Sequence, residues 1–271
     1  MLTAPQPTPY DLRFPLFGVP VRVHPLFWLV SVLLGWSTDL REVLSWVAVV
    51  FVSILLHEFG HALAIRYYGW RPEITLYSFG GLASYHPGYR PVYSSYTRDG
   101  ESTRGQIIIA LAGPAAGFAL AAALFLVFFF LYPSVLVVCE AALFGTYGVD
   151  HLLHGLEAGV GWRPHDADWL AMDPLRSSIV LNLFYVNIFW GLVNLLPIYP
   201  LDGGRVSREL FLHYTLSDGL RFSLMLSVAA AAGMAVWGLT QREFFITVLF
   251  GLLAYSSYQT LSHGFGGGRP W

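Results

Sequence analysis

Charge is scarce in this chain. Asp, Glu, Lys and Arg together make up 12% of its 271 residues, where a soluble domain carries about 25%. With 55% hydrophobic residues and a mean hydropathy of +0.56, too few polar groups remain to cover a water-facing surface, which argues against a very apolar soluble enzyme. Cysteine is nearly absent. The single Cys139 lies in an apolar run and reads as packing; it excludes an internal disulfide framework and a cysteine-rich metal site. There is no basic excess either. A net charge of −2 gives a nucleic-acid partner no electrostatic support. No secretory signal peptide is evident, no internal repeat is visible, and low complexity is confined to Gly266–Gly268.

What is present is long apolar segments. A membrane-crossing helix needs about 20 mostly apolar residues. Candidates are His24–Trp36, Val43–Tyr68, Gln106–Tyr132, Ser177–Pro197 continuing past a break to about Tyr214, Leu220–Thr240 and Glu243–Leu261. The expected fold is therefore an all-α polytopic membrane protein of about six transmembrane helices. The apolar stretch 133–149 is ambiguous because it is short and contains Glu140. Residues 1–22, with Pro5, Pro7, Pro9, Pro15 and Pro20, read as an irregular N-terminal arm. Residues 23–262 read as the membrane core, with 133–176 an enlarged extracytoplasmic loop, and 263–271 as a tail.

Arginines in short loops set the orientation. Arg13 and Arg22 precede the first helix, and Arg66, Arg71, Arg90, Arg98 and Arg104 follow the second. The segment after the third is acidic, with Asp150, Glu157, Asp166, Asp168 and Asp173 against Arg163. Arg205, Arg208 and Arg221 then restore the basic side. Six crossings place both termini in the cytoplasm; a seventh would put the last basic stretch outside.

The second helix contains His57-Glu58-Phe-Gly-His61. Two histidines four apart project from one helical face and can grip one metal ion, and the adjacent glutamate is placed to act as general base on a bound water. Three ionisable groups in one apolar helix each cost about 2.5–3.5 kcal/mol on insertion scales. A shared dication removes that cost, whereas a pair of satisfied core histidines with a stray acid does not. A catalytic zinc takes a third protein ligand. Asp202, in Asn194-Leu-Leu-Pro197-Ile-Tyr-Pro200-Leu-Asp202-Gly-Gly, is the one other acid in an apolar pattern beside strong backbone breakers. Pro197 and Pro200 break the helix, and Gly203 and Gly204 allow backbone shapes closed to other residues. Irregular backbone at membrane depth lines a cavity or is buried in protein. The competing reading makes Asp202 a cap on an interfacial turn.

The pairing of His57-Glu58-x-x-His61 with Asn194-x-x-Pro197-x-x-Pro200-Leu-Asp202-Gly-Gly resembles the site-2 protease family of intramembrane metalloproteases. Gly18-Val-Pro20-Val-Arg-Val-His24-Pro25, Phe79-Gly80-Gly81 and Ala112-Gly113-Pro114 are similar to further family segments, so the resemblance covers about residues 14–262. It implies one zinc held by His57, His61 and Asp202, with Glu58 activating water to hydrolyse a peptide bond in or near a substrate's transmembrane helix. The implied partners are a transmembrane substrate protein and the lipid bilayer, and the implied location is the bacterial inner membrane. Gly117 stands near the place where family chains often carry asparagine.

Asn194, Gly80 and Gly81 are the candidate substrate-binding residues; Asn187, seven positions before Asn194, reads as interhelical packing. Glu73–Ser84 has strand-forming residues and a glycine pair, so a small β-hairpin or sheet should follow the second helix. An edge strand near Leu76–Leu82 could hold an unwound substrate segment by strand addition. His151 and His154 read as a solvated face rather than a second metal site. The rival functions are a metal-binding membrane transporter, for which broken helices with central ionisable groups would also serve but an inverted repeat is missing, and a silent membrane scaffold, which would be expected to have lost Glu58 or a ligand. The topology yields a test: a cysteine introduced at Ser95 should be labelled from the cytoplasmic side, and labelling from the outside only would overturn it.

Overall fold

A computed structural model describes residues 5–78, 80–85, 100–131, 174–215 and 218–265. The ambiguous 133–149 segment with Cys139, nearly all of the 133–176 loop with His151 and His154, and Phe79, Arg90, Ser95 and Arg98 lie outside the described residues. In chain order the elements are β1 (Leu12–Leu16), β2 (Val19–Val23), α1 (Pro25–Leu34), α2 (Leu40–Tyr67), β3 (Pro72–Tyr77), β4 (Gly80–Tyr85), α3 (Thr103–Leu131), α4 (Pro174–Asn194), α5 (Asp202–Tyr214), α6 (Gly219–Thr240) and α7 (Phe244–Phe265).

Among the described residues four helices have the length and apolarity to cross a membrane: Leu40–Tyr67, Thr103–Val127, Gly219–Thr240 and Phe244–Ser262. Two shorter apolar helices, Pro25–Leu34 and Ser178–Asn194, stand where the sequence pattern puts the first and fourth crossings. His24 caps α1 by accepting the Leu26 amide, and Asp39 caps α2 by accepting that of Arg41. Small residues let α2 and α3 cross closely: a Cβ on Gly60 would lie 2.3 Å from the Ala112 carbonyl oxygen and 2.9 Å from the Ala116 methyl. That crossing falls between His57 and His61 and fixes their helix against α3.

The sheet is larger than the sequence suggests, with strand order β1-β2-β3-β4. Much of the 1–22 arm, expected to be irregular because of its prolines, forms with Val23 a hairpin turned at Phe17 and Gly18, both with positive φ (47° and 78°). Pro15 pairs opposite Pro20 and sits on the edge strand, where a missing N–H is tolerated. Val19, Val21 and Val23 alternate onto a buried face with Ile74 and Leu76, packed on Phe27, Val49, Val50 and Ile54. β2 and β3 are parallel, an arrangement that needs a long connection such as the one through α1 and α2.

The Leu76 backbone is interior to the sheet, not an edge. The His24 amide donates to the Leu76 carbonyl (2.9 Å), so Leu76 turns its backbone groups toward β2. By antiparallel alternation Gly80, Leu82 and Ser84 pair with β3. Gly81, Ala83 and Tyr85 then direct theirs to the outer edge of the sheet, which β4 forms among the described residues.

Candidate metal centre

The chain breaks between α4 and α5, and that break carries Asp202 into contact with the two histidines of α2. His57 Nε2 lies 3.0 Å and His61 Nε2 3.2 Å from Asp202 Oδ2, and the two nitrogens lie 3.2 Å apart. All four residues of the group, Glu58 included, are no more than 5% exposed. The Glu58 carboxylate lies within 4.8 Å of the ligand atoms of both histidines, so it shares the site without closing on the three atoms that meet.

His61 Nδ1 lies 2.6 Å from the Ile109 carbonyl, which can only accept, so Nδ1 carries the proton. His61 Nε2 then faces the carboxylate and the other imidazole. The three atoms are near enough either to share protons or to ligate one divalent cation in their place. Two imidazole nitrogens and one carboxylate oxygen about 3 Å apart are a donor set suited to a tetrahedral divalent metal, and the Ile109 bond is the outer contact that orients such a histidine.

Glycines pack directly on these side chains. A Cβ on Gly113 would lie 2.2 Å from His61 Nε2, and one on Gly81 would lie 2.2 Å from Glu58 Cγ. Gly81 therefore lays the backbone of β4 against the acid. Gly80, at φ +117°, seats on the Trp190 ring. Gly203 and Gly204 act differently from the expectation that they adopt unusual backbone shapes. Both lie in the first turn of α5, and added Cβ atoms would meet the Leu195 carbonyl oxygen at 2.1 Å and the Ile198 carbonyl carbon at 2.4 Å. Their role is steric, because α5 starts in contact with the break's own backbone. Asn194 is buried and donates from Nδ2 to the Trp190 carbonyl (2.9 Å), while Asn187 bonds to Ser53 Oγ (2.9 Å), tying α4 to α2. Burial, with the Glu58 charge added, holds the Tyr77 hydroxyl above its ordinary pKa although Arg205 acts the other way, so a neutral phenol stands near the acid.

Sequence reasoning missed Ser227 and Ser257. The Tyr199 amide, inside the break, donates to Ser227 Oγ (3.1 Å), and the Tyr199 carbonyl accepts from Ser257 Oγ (3.2 Å). Both serines are fully buried, on α6 and α7, and Ile198 packs among Ala231, Phe250 and Leu253 of the same hairpin. No local motif announces these contacts, which span 28 and 58 residues of sequence.

The overall fold is that of the site-2 proteases. The solved site-2 protease from Methanocaldococcus jannaschii matches with a TM-score of 0.53 at 21% identity, over 93% of this chain and 95% of that one. The chain belongs to Peptidase family M50, whose family model matches residues 45–232, a span that takes in both halves of the site. Among curated relatives, a zinc metalloprotease of Methanocaldococcus jannaschii is 24% identical over 250 residues, 90% of this chain and 55% of that protein. Stage IV sporulation protein FB of Bacillus subtilis is 23% identical over 245 residues, 88% of this chain and 65% of that protein. The chain thus spans less than two thirds of the length of either.

If the serine pair positions Asp202, replacing Ser227 and Ser257 with alanine leaves a buried amide and a buried carbonyl unpaired, at about 1–3 kcal/mol each. The double variant should lose bound metal several-fold faster on dialysis, and Ser227→Thr should keep it. Metal retention equal to the parent's in the double variant would show that the clamp has no bearing on the site.

Proposed function

We propose that the chain is an intramembrane zinc metalloprotease that hydrolyses peptide bonds in or near the transmembrane segments of membrane proteins. The observation that carries this reading is the meeting of His57 Nε2, His61 Nε2 and Asp202 Oδ2 at 3.0–3.2 Å inside an apolar helix bundle. In the proposal these three hold one zinc ion, and the acid beside them does the proton chemistry. Family membership supports it, and a transporter is disfavoured by a single ligand set built around a hydrolytic motif. The two shorter apolar helices are taken as the remaining crossings, giving six, with both termini cytoplasmic and the chain in the cell membrane.

Zinc, when bound, supplies Lewis-acid polarisation of the scissile carbonyl and lowers the pKa of a water. Glu58 takes a proton from the attacking water and returns it to the amide nitrogen as the C–N bond breaks. The water oxygen ends in the new carboxylate, and the leaving chain departs as an amine. Asn194 has a second amide hydrogen beyond the one given to Trp190, and that hydrogen is available to a substrate carbonyl or to the charge that develops on it. His61 is held in the competent tautomer by Ile109.

A transmembrane helix must unwind before its backbone can be cut, and the outer edge of β4 suits the unwound segment. Gly81 directs its backbone groups outward at the point where an added Cβ would collide with Glu58. A strand added there lays its own peptide bonds beside the acid, through main-chain bonds indifferent to side-chain identity. Gly80 and Gly81 serve this role by letting the edge approach Trp190 and Glu58 closely.

Two outcomes test the reading. Glu58→Gln keeps the side chain's size without its basicity, and should retain one zinc while losing about 10²–10⁴-fold in turnover of a single-span reporter substrate. Asp202→Ala should lower zinc affinity itself. An active Glu58→Gln variant, or an Asp202→Ala variant binding zinc as tightly as the parent, would show that these roles are misassigned. For the edge, Ala83→Pro removes an outward amide at a strand position where proline is tolerated. It should weaken cleavage about tenfold with zinc content unchanged, whereas Leu82→Pro disrupts pairing with β3 and should destabilise the fold. Undiminished cleavage by Ala83→Pro would argue against strand addition.

A further inference from the structure

Against His61 the structure holds a cavity of about 290 Å³ whose charged lining has no part in the hydrolytic chemistry. One wall is β4 from Ala83 to Tyr85, the stretch of the outer edge that follows Gly81. Another is the first half of α5, which contributes Arg205, Arg208 and Glu209. Arg205 is half-buried, one helical turn after Asp202, so it faces the same side of α5 at about 5–6 Å between Cβ atoms. Among the described residues neither guanidinium has a carboxylate within ion-pair distance. Two guanidiniums against the Glu209 carboxylate give the described lining of the cavity a net positive charge.

A partly buried arginine without a counter-ion among the described residues, at the wall of a cavity open to a binding edge, is suited to receive a carboxylate, to which its planar fork can donate two hydrogen bonds. Register fixes where along a bound segment that carboxylate would sit. Gly81 marks the reacting point because it touches Glu58, and Ala83 and Tyr85 lie two and four residues further on. At about 3.3 Å per strand residue, that is about 7–13 Å from the acid. We infer that this cavity is a cationic subsite for an acidic side chain of the substrate, two to four residues from the bond that is cut.

The inference rests on the protease reading and deepens it. It also supplies selectivity that strand addition lacks. The cytoplasmic flanks of membrane helices are enriched in Lys and Arg. Such flanks are repelled by Arg205 and Arg208, so an acidic residue at this distance distinguishes a substrate from the general population of membrane proteins.

The test uses fluorescent single-span peptides carrying Asp, Ala or Lys at positions two, three and four on either side of the scissile bond. Binding is measured by anisotropy to zinc-loaded Glu58→Gln protein in detergent, and cleavage by the parent enzyme. At one or two of these positions Asp should bind about tenfold more tightly than Ala, with Lys weaker than Ala, and cleavage should follow the same order. Arg205→Glu should reverse the order. Arg208→Glu, at an exposed position that should not disturb folding, should reduce the Asp preference in the same direction. Equal binding of the three series, or an Asp preference that survives both charge reversals, overturns the subsite. Cleavage by the parent with no charge preference overturns the subsite alone and leaves the protease reading standing. No cleavage of any peptide by parent enzyme of full zinc content overturns both.

Discussion

Two imidazole nitrogens and a carboxylate oxygen brought within 3.2 Å of one another inside an apolar bundle are the constraint on which the rest of the structure depends. A carboxylate and two imidazoles in that setting are costly unless a cation neutralises and ligates them, and a metal can do so only if the groups are held from both sides of the chain. One side is regular: α2 presents His57 and His61 one turn apart, Gly60 sets the helix against α3, and the Ile109 carbonyl fixes one ring. The other side is irregular. Asp202 starts a new helix after seven residues of broken backbone, and such backbone survives among apolar helices only if its polar groups are satisfied. Ser227 and Ser257 satisfy the Tyr199 peptide, and Gly203 and Gly204 let α5 begin against the break itself.

The same arrangement explains why a sheet belongs to an otherwise helical molecule. Gly81 packs on the Glu58 side chain, so β4 is a wall of the site and not an ornament of the loop. Its position is held by β3, which is in turn paired with β2, and the N-terminal hairpin thereby braces the edge from the far side. The metal-side residues and the outer edge are thus parts of one construction, with α2 common to both.

Much of this was legible in the residues. The apolar runs mark α2, α3, α6 and α7 to within a few residues, because membrane length and the absence of charge leave few readings. The His57-Glu58-x-x-His61 spacing and the proline-flanked Asp202 point to each other because each is costly alone. What was hidden is what depends on distant partners. Pro15 and Pro20 disguised β1 and β2, whose valine alternation has meaning only once β3 is beside them. The reason for Gly203 and Gly204 lies in contact with Leu195 and Ile198, which no propensity encodes. Leu76 reads as a possible edge by composition and becomes interior only through the parallel pairing with β2.

The central claim is that the break after α4 delivers a ligand, so that two histidines and one aspartate hold the metal and Glu58 stands beside it. X-ray absorption at the zinc edge on purified, zinc-loaded protein tests this most directly. The account predicts a spectrum fitted by two imidazoles and light oxygen neighbours, unchanged when Glu58 is replaced by glutamine and poorer by one oxygen neighbour when Asp202 is replaced by alanine. A spectrum requiring a sulfur or a third imidazole, or one altered by the glutamine substitution and indifferent to the loss of Asp202, would contradict it.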